Sequence, residues 1–162
     1  MDNQSLISVL KKHWWVIFVA IFVLIGMYGI WSVEYLGFQD HPSHLLQIHI
    51  ALNYANPTYD YNKYFLLNWG LTPNQGSDAI IFLLSHIVSV ATAAKLFFCL
   101  YIIILPLSVW YFLHRVRPEN CAYALFASAL TFNQFVLMGN ENFLSSIPVF
   151  FFFLGYWYRK RN

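Results

Sequence analysis

The sequence predicts an all-α integral membrane protein with about four transmembrane helices, and three observations support this. First, 59% of the 162 residues are hydrophobic and only 10% are charged, whereas a soluble domain carries roughly 25% charged residues. Second, several apolar runs approach or exceed about 18 residues, the length that crosses a hydrocarbon core about 30 Å thick. Third, Lys and Arg collect in short clusters beside these runs, as they do at cytoplasmic helix ends. The chain, 1–162, is therefore predicted to form a single membrane domain.

The first predicted span covers residues 14–33, after a head at 1–13 that ends near Lys11 and Lys12. Two tryptophans at its start and a Tyr and a Trp near its end match the aromatic belts of the two membrane interfaces. The run is longer than the apolar part of a signal peptide and lacks a small-residue cleavage site. We therefore expect a retained helix with a cytoplasmic N-terminus, in a multi-pass protein of the plasma or inner membrane.

A long polar segment, 34–94, is predicted to form an extracytoplasmic loop that contains two helices. Asp40 and Pro42 predict a helix near 42–53, because Pro is tolerated in a first turn and a carboxylate can accept its free amide protons. The apolar face of this helix would rest on the membrane surface. The apolar run near 79–92 is interrupted by Ser, His and Thr residues, so we expect a re-entrant or interfacial helix there.

Three more spans are predicted at 96–114, 121–138 and 143–158. A basic turn separates the first two, an acidic turn with Glu141 separates the last two, and a basic cluster ends the chain. If the preceding apolar helix does not cross the bilayer, all three basic clusters of the chain are cytoplasmic. Asp40 and Glu141 then lie on the same, extracytoplasmic side.

The polar segment around Asp40 concentrates ionisable groups in a chain that has few of them. Asp40 and Glu141 could act together, one as general base on a hydroxyl and the other as metal ligand or orienting group, since apolar surroundings raise the pKa of a carboxyl group. Alternatively, Asp40 caps a helix and Glu141 lies in a solvated turn. Asp40, His41 and His44 also have the i+3 and i+4 spacing that can bind a divalent cation on one helix face. Polar side chains at the membrane interface are the alternative for the histidines.

An aromatic loop between the two predicted helices supplies further candidates for substrate binding. Tyr59, Tyr61 and Trp69 offer flat rings on which a sugar can stack, and Lys63 could contact a lipid-linked phosphate. The alternative for these rings is the interfacial aromatic belt. The chain has no basic stripe and no nucleic-acid motif, so we expect no nucleic-acid partner.

The run Asp40-His41-Pro42-Ser43-His44-Leu45 resembles the D-x-P-x-H-L-type segment in the first extracytoplasmic loop of the GT-C superfamily. These are polytopic glycosyltransferases that use polyprenyl-phosphate-linked sugars. Ala-Thr-Ala-Ala-Lys-Leu at 91–96, opening the second span, and the order basic turn, span, acidic turn, span extend the resemblance. It implies that Asp40 is a base or metal ligand, Glu141 the second acid and His44 a hydrogen-bonding or phosphate-contacting group. Substrate contacts are expected at His41, Tyr59, Tyr61, Lys63 and Trp69.

Three functions follow as hypotheses. The first is inverting transfer of a sugar from a lipid-phosphate donor at the outer face, by a GT-C-like enzyme or its N-terminal part, with a divalent cation, Mg or Mn, as the expected cofactor. The second is a non-catalytic membrane subunit that packs against a larger partner, because members of the superfamily have many more spans. The third is a small metal-binding or transport module built on Asp40, His41 and His44. The expected partners are the lipid bilayer, a lipid-linked sugar and a second membrane subunit.

Overall fold

The computed structural model describes the backbone of residues 3–68, 70 and 73–161, and the side chains of 13–68, 70 and 73–161. Over these residues the chain is helical and contains no strand, so the all-α prediction is confirmed. A 3-10 helix, Pro118–Tyr123, lies between α5 and α6. The α-helices in chain order are α1 (Asn3–Trp31), α2 (His41–Leu52), α3 (Tyr61–Tyr64), α4 (Gly76–Leu84), α5 (Val90–Val116), α6 (Ala124–Ala129), α7 (Gln134–Met138) and α8 (Glu141–Arg161).

Three helical segments in the described part of the chain are long and apolar enough to cross a membrane: His13–Trp31, Val90–Val116 and Pro118–Met138. Their length and composition indicate a membrane protein. The span predicted at 143–158 lies in α8, which is 21 residues long but less apolar than these three. Polar residues in its first two turns and the basic residues at its end account for the difference.

The predicted head and first span form one helix, α1, which is kinked at their junction. His13 has non-helical backbone angles (φ −118°, ψ 20°) in the middle of the helix. The apolar segment that begins at His13 is the first of the three candidate spans. The junction that the sequence predicts is therefore a bend within a helix.

The helix predicted near 79–92 is instead divided between two helices. α4 ends at Leu84, and α5 begins at Val90, six residues before the predicted start of the second span. Polar side chains cause the break: Ser85 Oγ donates to the Ile81 carbonyl at 2.7 Å, and Ser89 Oγ accepts a hydrogen bond from the Thr92 amide at 3.2 Å. With 9 residues, α4 extends only about 14 Å, so it is too short to cross a bilayer.

The predicted third span, 121–138, is not a continuous helix. After the 3-10 helix and α6, the backbone leaves helical geometry and resumes at α7. Asn133 caps α7, since its Oδ1 atom accepts hydrogen bonds from the amides of Phe135, at 2.8 Å, and Val136, at 3.4 Å. Asn competes with helical backbone bonding in this way, which favours a helix start over a helix interior.

By backbone contacts the chain divides into two compact units, where the sequence predicts one domain. The first, called here the span unit, comprises Met1–Ser32, Cys99–Phe132 and Ile147–Asn162. In it α8 approaches α5 closely at Gly155, where an added Cβ would lie 2.7 Å from the Tyr111 ring. Small residues allow such close approach between helices in membranes.

The second, called here the loop unit, comprises Val33–Phe98 and Asn133–Ser146. It contains α2, α3, α4, the start of α5, α7 and the first turn of α8. Its fully buried side chains include Ile81, Phe98 and Leu144. All of the predicted site residues belong to this unit.

Candidate functional site

The N-terminus of α2 is held against the turn between α7 and α8. The amides of Gln39 and Asp40 donate to the carbonyls of Leu137, at 3.0 Å, and Met138, at 3.1 Å. These carbonyls belong to the last turn of α7, which has no intrahelical donors for them. The contact therefore satisfies backbone groups on both segments.

Gly139 makes this contact possible. Its backbone is left-handed, with φ +75°, and an added Cβ would lie 2.8 Å from the His41 amide nitrogen. A residue with a side chain would meet both backbone strain and a clash with backbone atoms. The turn thus places Glu141 directly beside the first turn of α2.

His41 and Glu141 form a buried pair. His41 Nδ1 contacts Glu141 Oε1, and the two side chains are 2% and 0% exposed. The second oxygen, Oε2, is buried and has no hydrogen-bond partner in the described part of the chain. The His41 ring also packs edge-on against Phe98, at 5.6 Å between centroids. Because Glu141 is closed off from solvent, it cannot contact a substrate in this conformation.

His44, one helical turn further along α2, forms a second pair with Asp78 in the first turn of α4. His44 Nδ1 lies 2.9 Å from Asp78 Oδ1, and the side chains are 22% and 19% exposed. Burial raises the pKa of Asp78, the adjacent His44 lowers it, and the charge of Glu141 raises it again, with a net rise. Desolvation of the carboxylate is the largest cause. This pair is reachable from solvent.

His44 and Asp78 line a groove of about 740 Å³ between α2 and α4. Its volume falls in the range of small-molecule sites, about 300–1,000 Å³. Apolar side chains from both helices and from the segment after α3 form most of the wall, including Leu46, Phe65 and Phe82. Amide side chains at Gln47, Asn68, Asn74 and Gln75 add polar contacts. The groove is an apolar channel with one ionisable pair in its wall.

Asp40 occupies the N-cap position of α2 but does not cap the helix with its side chain. Its backbone carbonyl accepts instead from the amides of Ser43, at 3.0 Å, and His44, at 3.4 Å. The capping prediction for its carboxylate is therefore wrong. The side chain is exposed, and the groove wall does not include it. The structure brings His41 to Glu141 and His44 to Asp78, and joins neither acid to Asp40.

No three His, Cys, Asp or Glu side chains among the described residues lie close enough to share a metal ion. Asp40, His41 and His44 diverge, because His41 turns into the core and His44 turns to Asp78. The described residues therefore do not assemble a ligand set for the expected Mg or Mn ion.

The predicted aromatic platform is partly assembled. Tyr59 and Tyr61 stack with their centroids 5.2 Å apart and an interplanar angle of 7°, and His49 packs edge-on against both rings. Lys63 pairs with Asp60 at 2.9 Å, where both side chains are exposed. Trp69 lies outside the described residues. The two tyrosines therefore cover one face of each other, which leaves only their outer faces for a ligand.

Asp78 is the residue that the sequence analysis missed. It stands at the end of the polar segment, 34 positions after His44, so no local spacing links the two. A usable signal was present: Asp78 is one of seven acidic residues and opens an otherwise apolar helix, where a carboxylate favours the first turn. Searches against protein-family models, curated proteins and solved structures found no match to this chain.

Proposed function

We propose that the protein is a GT-C-like membrane glycosyltransferase, or its N-terminal part, that transfers a sugar from a lipid-phosphate donor at the extracytoplasmic face. The observation that carries this proposal is the groove between α2 and α4. It combines an apolar wall that suits a polyprenyl chain with a histidine and amide groups that suit a phosphate and a sugar. Small-molecule sites typically have this composition, mostly apolar with a few converging polar groups.

The contact between His41 and Glu141 supports the topology that this function needs. The two residues come from the predicted extracytoplasmic loop and the predicted acidic turn, and they touch within the loop unit. Side chains on opposite faces of a bilayer about 30 Å thick could not meet. The contact therefore favours four crossings, by α1, α5, the 118–138 segment and α8, with the N-terminus in the cytoplasm.

Cysteine accessibility in intact cells tests this topology. Single cysteines are placed at Gln75, Glu119 and Asn140 in a chain from which Cys99 and Cys121 have been removed. We expect labelling from outside at Gln75 and Asn140 and protection at Glu119. Outside labelling at Glu119 with protection at Asn140 would put the acidic turn on the opposite side and overturn the proposal.

Transfer is tested in membranes that contain the chain, with a panel of radiolabelled polyprenyl-phosphate hexoses and pentoses. We expect label to enter a product that resists mild acid, above the level in membranes without the chain. Ala79→Trp fills the groove wall and should lower transfer about tenfold or more, because displaced substrates react poorly. Ala55→Trp adds the same ring at an exposed turn outside the groove and is the matched control. Absence of transfer from every donor would overturn the proposal.

A non-catalytic subunit is the second candidate, and α1 is the observation that favours it. Only 11% of the most apolar part of α1 is buried, and Leu24, Ile25 and Tyr28 are more than half exposed. Such a surface needs either lipid or a partner helix around it. Purified, monodisperse chain that transfers label by itself would refute this candidate.

A further inference from the structure

The His44–Asp78 pair has a feature that neither the spacing of the residues nor the proposed reaction assigns. Asp78 approaches the Nδ1 atom of His44 at 2.9 Å, and His44 Nε2 makes no hydrogen bond to any residue that the structure describes. Both residues line the groove. A carboxylate on one ring nitrogen fixes which nitrogen of a neutral imidazole carries the proton. Nε2 then carries the lone pair.

The charges around the pair suit a proton acceptor. Asp78 comes from α4, Glu141 from α8, and Asp40 and His41 from α2. Glu141 is engaged by His41 and buried, yet its charge acts on Asp78. The residues after α3 in the groove wall carry no charge. Two nearby carboxylates and no nearby lysine or arginine in the wall favour a positive charge on His44 once it has accepted a proton.

We propose that His44 is the general base of the transfer reaction and that Asp78 is its positioning residue. This rests on the proposed function. The acceptor hydroxyl oxygen attacks the anomeric carbon, a new C–O bond forms, and the bond from that carbon to the phosphate oxygen breaks. The lipid phosphate leaves with the electron pair, and the hydroxyl proton moves to His44 Nε2. Release of that proton to water restores the neutral ring.

Asp40 is less suited to take this proton. Its carboxylate is exposed and lies outside the groove wall, and its side chain does not cap α2. Nothing orients it toward a bound hydroxyl. General bases act within hydrogen-bond reach of the proton that they remove, and His44 is the group in the groove that meets this condition with a fixed orientation.

The experiment measures transfer and its pH dependence in membranes containing wild type, His44→Gln and Asp78→Asn. His44→Gln should lower kcat by about 10²–10⁴ and abolish the fall in rate that wild type shows at acidic pH. Asp78→Asn should lower kcat by a smaller factor with little change in KM. His86→Gln and Asp60→Asn, exposed residues outside the groove, are the matched controls and should stay within about twofold of wild type.

Nitrogen NMR of the imidazole, in protein labelled at histidine, gives a readout that does not need turnover. We expect wild-type His44 in the neutral form with its proton on Nδ1, and Asp78→Asn to lose that preference. Transfer in wild type with an unchanged acid limb in His44→Gln would overturn this inference and leave the proposed function standing. Absence of transfer by wild type would overturn the proposed function, and a proton on Nε2 would independently overturn the pair.

Discussion

Helix α2 carries two histidine–carboxylate pairs one turn apart, and they differ in almost everything except chemistry. His41 and Glu141 are 2% and 0% exposed, whereas His44 and Asp78 are 22% and 19% exposed and line a groove. The first pair joins segments 100 positions apart and has no access to solvent. A buried pair contributes mainly to the fold, because breaking it strands a charge. The accessible pair can exchange protons with a ligand.

The largest expected effect is on the buried pair. Glu141→Ala leaves His41 buried without its partner and should lower the free energy of unfolding by about 3–5 kcal/mol. Denaturant unfolding in detergent micelles measures this loss. Glu119→Ala is the control, since Glu119 is exposed and pairs with Arg117 at 3.5 Å, and should cost less than about 1 kcal/mol. Equal losses in the two variants would contradict the structural role given to Glu141.

Gly139→Ala should have the next largest effect. The new Cβ would clash with the backbone of Asp40 and His41 at a left-handed residue, at a cost of about 1–3 kcal/mol. Gly37→Ala is the control, because nothing lies within 4 Å of a Cβ there. The same unfolding measurement applies, and a Gly139→Ala variant as stable as Gly37→Ala would show that the α2 contact does not hold the unit together.

The groove pair should be weaker than the buried pair in stability. A double-mutant cycle with His44→Gln and Asp78→Asn should give a coupling free energy of about 1 kcal/mol or less, as for partly exposed ion pairs. The equivalent cycle with His41→Gln and Glu141→Gln should give a larger value. A reversed order would remove the distinction between a pair that supports the fold and a pair that serves a ligand.

The smallest effect is a pH dependence of stability that comes from Asp78. Burial raises its pKa, the neighbouring His44 lowers it and Glu141 raises it, with a net rise. A carboxyl with a higher pKa in the folded state adds stability at low pH, and this is lost as pH rises through the folded pKa. The unfolding free energy of wild type minus that of Asp78→Asn should therefore increase as pH is lowered from neutral. A decrease on acidification would contradict the desolvation of Asp78.

Local sequence features predicted the helical elements well. The run of apolar residues after His13 is a candidate span, and the helix predicted near 42–53 is observed as His41–Leu52. Both depend on residues close together in the chain, on hydropathy and on a Pro in a first turn. Helix breaks were predicted less well, because Ser89 and Asn133 act through specific capping bonds that hydropathy does not register.

The sequence by itself determined that the chain is all-α and apolar enough for a membrane, and that its scarce ionisable groups gather at the start of α2. Only the tertiary structure decided which of those groups meet. His41 reaches Glu141 and His44 reaches Asp78 because α2 lies against both the α7–α8 turn and α4. Pairing across 100 and 34 positions depends on how helices pack. Burial, which separates the two pairs in role, exists only once the chain has folded.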